Sequence, residues 1–445
     1  MELFVLILIT SLRFLQINSS ASSQTFNVLD YGAVGDGNTE DTQAFLDAWK
    51  AACKSSNSKT SPIMLVPGGK SFLLQPFTLD GHDCKSTKTN IISIVIDGEL
   101  IAPKDRWAWK YEGKECRQWI LLKHMKGLVV KGSGSINAQG NSWWDLCTNE
   151  EKVCTRRPTS LILEDSDKVH IKNLAFKDSP QMHMAIESSK YVYIKNLYIE
   201  APGDSPNTDG IHIQRSKKVS ISRSSIRTGD DCISIGDGSY RINISKIACG
   251  PGHGISIGSL GKHGDHETVE FVHVKDVTFT DTTNGFRIKT WQTSAVKISN
   301  VSYNRISGTS RSKIAVNLVC SETKPCRNIL MKDIKLESII QDEEEKEDIT
   351  SSLCENVVDG HKIGSVSIQV KVPTIKYLPG SSPADGARYE GVALQFVSNA
   401  LTLASLLKVS SSYPNASAKA LQINSPTILR SASKSQVKHD IGVYQ

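Results

Sequence analysis

Three short motifs that combine carboxylate, histidine and glycine recur in the middle of the chain. They read Pro206-Asn207-Thr208-Asp209-Gly210-Ile211-His212-Ile213, Gly229-Asp230-Asp231-Cys232-Ile233-Ser234-Ile235 and Gly252-His253-Gly254-Ile255-Ser256-Ile257. Aligned on Ile211, Ile233 and Ile255, they step by 22 residues each time. Gathered carboxylates repel one another, so at least one pKa rises and a protonated acid sits beside ionised partners. Cleavage of a glycosidic bond with inversion needs that division: an acid protonates the leaving oxygen and a base activates water. Asp209, Asp230 and Asp231 are the candidates. His253 lies between glycines that leave room for a bulky ligand, where it can orient an Asp or hydrogen-bond a sugar. Two other readings compete. Asn-Thr-Asp-Gly and Gly-Asp-Asp are good turn sequences, and clustered carboxylates suit calcium.

Gly285-Phe286-Arg287-Ile288-Lys289-Thr290-Trp291 follows. Strand alternation turns Phe286 and Ile288 inward and Arg287 and Lys289 outward together. Arg287 then falls in the column of His212, Ser234 and Ser256. Two cations beside a carboxylate cluster suit an acidic sugar, and Arg suits bidentate contact with its carboxylate. An ion pair with the aspartates is compatible with that role. The net charge of +6 agrees with an anionic polymer as partner. No aromatic platform accompanies the basic residues, which argues against nucleic acid. His183 and His212 read as ordinary surface or groove residues.

The elements that must hold these residues come from a second repeat. An octet with apolar first, third, sixth and eighth positions starts at Val169, Val192, Val219, Ile242, Val272, Val296 and Ile329, with Ser224 standing at the sixth position of the Val219 copy. Two short strands broken at the polar pair, in coils of twenty-odd residues, predict an all-β solenoid: a parallel β-helix. Stacked strands lie about 4.7–4.9 Å apart, so a 22-residue step converts distance in sequence into contact. Asp41-Thr42-Gln43 can start a helix whose stripe of Phe45, Ala48, Trp49 and Ala52 covers the N-terminal end of the solenoid. Asp342 to Asp348 is a charge run suited to a solvated loop. Residues 380–445 are rich in Ser and Ala, with a possible helix over 392–409, and do not fit the repeat.

The expected boundaries are a signal peptide at 1–23, a β-helix at 24–355 and an atypical tail at 356–445. The run Leu3 to Leu12 is apolar but too short to span a membrane. Ten cysteines suit an oxidising compartment, with Cys232–Cys249 and Cys320–Cys326 able to pair. Asn243, Asn300 and Asn415 open glycosylation sequons. A secreted monomer without membrane attachment is expected.

Taken together, Asn207-Thr208-Asp209, Gly229-Asp230-Asp231, Gly252-His253-Gly254 and Arg287-Ile288-Lys289 resemble the motifs of the polygalacturonase family of glycoside hydrolases. Cys249 to Gly261 and Asn27 to Gly37 resemble its plant branch. The resemblance covers about residues 25–355. It implies a right-handed β-helix and inverting hydrolysis of α-1,4-linked galacturonan in pectin at the cell wall, with no metal or other cofactor. It also implies Asp230 as proton donor, Asp209 and Asp231 as activators of water, and His253 as their support. Asn207, Arg287 and Lys289 would bind substrate. The chain departs from the family after Trp291, where Gln292 runs straight into Thr293-Ser294-Ala295-Val296. One coil is missing there, with a Tyr implicated in the site. Tyr303 is not placed to substitute for it.

Overall fold

A computed structural model describes residues 24–55, 61–84, 92–111, 117–149, 157–291, 294–310, 312, 314–338, 352–370, 405–411 and 421–422. The apolar leader, the charge run and most of the tail lie outside the described residues. Within them the strands form a 20-stranded and an 11-stranded sheet, joined by tight turns, with two α-helices. Successive coils each lay one strand into the 11-stranded sheet: Met184–Glu187, Ile211–Gln214, Ile233–Ile235, Ile255–Leu260 and Phe286–Thr290. Ile211 pairs in parallel with Ile233, and Ile233 with Ile255. The 22-residue interval is therefore one coil.

The octets explain why the chain winds. Val169, Ile171, Leu174 and Phe176 are all buried, as are Val192, Ile194, Leu197 and Ile199 one coil on. The third and sixth positions could not both face inward on a regular strand. A left-handed residue at the fifth position resets the alternation: Asn173, Asn196, Arg223, Lys246 and Asp276 have φ between 54° and 60°. The residue before each octet does the same at the preceding corner: Lys168, Tyr191, Lys218, Arg241 and Phe271. Asn and Asp take this conformation readily, whereas Arg and Lys hold it at a cost. The sixth octet sits differently from the sequence expectation. Val301, not Val296, pairs with Ile329, and Asn300 and Arg305 are its left-handed residues.

The helix Thr42–Ser55 covers the N-terminal end, burying Phe45, Ala48, Trp49 and Ala52. Cys53–Cys84 fastens it, and Cys232–Cys249 and Cys320–Cys326 are also bonded.

One discontinuity interrupts the stack. Val269–Phe279 and Val296–Ser310 are not paired with each other. Ser405–Ser411 lies between them, antiparallel to both, with Val409 opposite Val269 on one side and Ile298 on the other. In the second sheet Leu421 lies between Ile288 and Leu318, again antiparallel. Two pieces of the tail thus occupy the slot of the absent coil, contrary to the expectation that the tail stands outside the β-helix. Residues 405–409 are strand rather than helix, because their backbone groups complete two open strand edges. A cavity of about 20 Å³, lined in part by Ile257, Val274, Ile288 and Tyr303, lies in the core at this level. Parallel pairing also continues past residue 355, where His361–Val370 lies on Cys326–Ser338.

Candidate active site

The turns that enter the 11-stranded sheet carry the motifs. Asp209, Asp231 and His253 each stand two residues before an aligned isoleucine, and the ladder continues through them. Gly210 N–H donates to Asp231 O at 2.9 Å and Cys232 N–H to Gly254 O at 2.8 Å. The turns nest because two glycines permit it. A Cβ on Gly229 would lie 2.0 Å from Ser205 O. One on Gly252, at φ +136°, would lie 2.5 Å from Asp230 O. That approach lets His253 N–H donate to Asp230 O at 2.9 Å.

The structure brings the three carboxylates, His253, Arg287 and Lys289 together. His253 Nδ1 is 3.0 Å from Asp230 Oδ1. Arg287 Nη2 donates to Asp231 Oδ1 at 2.8 Å, and Lys289 Nζ to Asp231 Oδ2 at 3.2 Å. Both cations therefore rest on Asp231. Ser256 Oγ donates to Asp231 at 2.6 Å, and Ser234 Oγ donates to Asp209 at 2.6 Å. Asp231 and Asp209 are buried, while the Asp230 side chain is 17% exposed and His253 35%. Asp230 is thus the carboxylate that opens toward the groove.

Electrostatics separate the acids. Burial, reinforced by the charges of Asp230 and Asp231, pushes Asp209 well above the ordinary carboxylate range. Burial also raises Asp230, but the His253 hydrogen bond and charge, with Lys289, outweigh it and leave Asp230 below its usual value. Of these two acids, Asp209 is therefore the one that takes up a proton more readily. Carboxylate oxygens of Asp230 and Asp231 and a ring nitrogen of His253 lie within 4.8 Å of one another, a donor set that a divalent cation can use. Arg287 and Lys289 already compensate the charge of Asp231.

Asn207 sits at φ 51° in the turn before Asp209 and accepts from Arg157 Nη2 at 2.9 Å through Oδ1. His212 lies in the floor of the groove, with Nδ1 2.8 Å from Ser234 Oγ. His183 is not a surface residue: it is fully buried, which pushes its pKa down to about 4, and it bonds the carbonyls of Asp209 and Glu200. The motifs placed Ser234 and Ser256 in the column of Arg287 without a role, and they did not include Arg157. The register held a signal for the two serines. Ser234 and Ser256 each stand 25 residues after the Asp they bind.

A parallel β-helix with three carboxylates, a histidine and two cations on one edge defines a class: solenoid hydrolases of acidic polysaccharide. The comparisons narrow it. The model for glycosyl hydrolases family 28 matches residues 53–306 and 292–361, and the chain belongs to that family. The two matches overlap just where the coil is absent. A probable polygalacturonase of Arabidopsis thaliana is 40% identical, over 71% of this chain and 78% of its own. The polygalacturonase of Chamaecyparis obtusa is 36% identical, over 84% and 77%. Two solved structures share the fold. An exopolygalacturonase of Thermotoga maritima has TM-score 0.58 and 18% identity, covering 85% of this chain and 95% of its own. An endo-xylogalacturonan hydrolase of Aspergillus tubingensis has TM-score 0.60 and 20% identity, covering 82% and 100%.

Proposed function

We propose that the protein is a secreted polygalacturonase that hydrolyses α-1,4-galacturonosyl linkages in pectin of the plant cell wall, with inversion and without a metal. The observation that carries this reading is the pairing of Arg287 and Lys289 with the buried Asp231 at the mouth of a three-carboxylate cluster. A galacturonate carboxylate is the ligand able to draw two cations off a fixed aspartate, because it offers the same charge. Asn207 adds a polar edge to that subsite.

Asp230, the half-buried acid that opens toward the groove, delivers a proton to the leaving glycosidic oxygen. Asp209 and Asp231 hold the attacking water and take its proton, so the sugar gains OH on the face opposite the departing group. The base must be ionised and the acid protonated, so in the productive complex Asp209 is charged and Asp230 carries a proton. Three disulfides among the described residues agree with secretion. No helix among the described residues is long and apolar enough to cross a membrane. The enzyme works as a monomer, since one coil stack holds the whole cluster.

Purified protein incubated with polygalacturonate should release reducing ends, and Asp230→Asn should lower the rate by at least about 10²-fold. Equal rates for the two proteins sink the proposal. The absent coil favours a second reading, a β-helix that binds galacturonan without turnover. Binding with no reducing ends from the wild type would select it.

A further inference from the structure

Among the described residues Arg157 is the one large cation locked inside this edge of the solenoid, at 1% exposure. It stands four residues before Leu161, as Pro180 does before Met184 and Asn207 before Ile211, and those three strand residues are paired in register. The side chain therefore runs along the solenoid axis. Nη1 donates to Pro180 O at 2.6 Å and to Pro206 O at 2.8 Å, and Nη2 to Asn207 Oδ1 at 2.9 Å. It reaches across two coils to seize the turn that ends in Asp209. That turn holds the next one, because Thr208 Oγ1 accepts from Gly229 N–H at 3.0 Å, directly before Asp230.

We infer that Arg157 is a positioning residue and the permanent counter-charge of the catalytic carboxylates. Three aspartates face three cations here: Arg287 and Lys289 from the sheet, and Arg157 from beneath. In the polygalacturonase reading, on which this inference rests, substrate draws Arg287 and Lys289 away from Asp231. Arg157 stays in place, because Nη1 and Nη2 are bonded to two backbone carbonyls and Asn207. Its charge still acts on Asp209 and Asp230, which oppose the burial that lowers its own pKa to about 10. The other titratable groups facing the cluster are Asp231, His253 beside Asp230, His212, which reaches Asp209 through Ser234 and which burial keeps from charging, and neutral His183 beneath Asp209.

Two variants separate charge from geometry. Arg157→Lys keeps the charge and loses the fork: kcat should fall about tenfold or more with KM within about twofold, and the acid limb of the kcat–pH profile should not move. Arg157→Gln loses the charge, and its acid limb should move up by about one pH unit. An unmoved limb in Arg157→Gln overturns the counter-charge, and wild-type kcat in Arg157→Lys overturns the positioning, even should Arg157→Gln fail to fold. If the wild type releases no reducing ends, the functional reading fails by itself and melting temperatures decide this one. The deficit of Arg157→Gln should shrink between pH 7 and pH 3, as the carboxylates it leaves unscreened become protonated. A deficit that is constant with pH overturns the inference.

Discussion

At Asp209 burial and the two neighbouring carboxylates act in one direction, raising its pKa well above 3.8. The sign for stability follows from linkage. The unfolded chain releases this proton first, so above pH 3.8 the folded state is penalised, and below it the penalty is gone. Asp209→Asn removes the charge and keeps an acceptor for Ser234. It should melt higher than the wild type at pH 7, by about 2–4 °C for each kcal/mol relieved, show no gain at pH 3, and lose activity. An unchanged melting temperature at pH 7 would contradict the buried-charge account. How much of this was readable beforehand differs by residue. Asp209, Asp231 and His253 follow from a fixed spacing, because one coil is one period. Arg287 and Lys289 follow from alternation. That both cations rest on Asp231 is a matter of side-chain reach, which spacing does not encode. Arg157 lies outside the motifs, before Pro158, and acts across two coils, so no local pattern marked it.

Individual coils are legible because their inward positions are apolar and their corners are polar. The corner chemistry itself is uneven. Asn196 Nδ2 donates to Asn173 Oδ1 at 3.0 Å, and Asn328 Nδ2 to Asn300 Oδ1, so left-handed asparagines bind one another along the stack. Arg223 continues the first of these columns at φ 54° with an exposed side chain. A non-glycine residue with a long side chain pays about 1 kcal/mol or more for that conformation. Arg223→Asn should relieve most of this and extend the ladder from Asn196, raising the melting temperature by about 2–4 °C with activity unchanged. A lower melting temperature would show that the Arg223 side chain contributes more than its backbone costs. The one octet misread from sequence, Val296 for Val301, also follows from this chemistry. The run from Val296 is apolar at all four positions, whereas the run from Val301 ends on Gly308, and only the pairing with Ile329 decides between them.

Across the whole molecule, the break after Trp291 governs what can fold. Without an inserted strand, Val269–Phe279 and Val296–Ser310 would each present an unpaired edge over a core that includes Val272, Val274 and Ile298. Buried backbone groups left without partners cost about 1–3 kcal/mol each, so a solenoid with one coil removed has to close the gap or open there. Ser405–Ser411 and Leu421–Gln422 close it from the far end of the chain, running against the direction of every coil. The tail then serves the site indirectly, because Ile288, which stands between Arg287 and Lys289, is the residue paired with Leu421. A chain ending at Val370 should melt at least about 5 °C lower, self-associate through its exposed strand edges, and be cleaved by protease between residues 280 and 296 before it is cleaved elsewhere in the coils. Supplying residues 400–425 as a separate peptide should restore part of the lost stability, since the pairing needs no covalent link. A truncated protein that stays monomeric with the full-length melting temperature would mean that the two open coils close on each other directly, and that the tail strands contribute nothing to the β-helix.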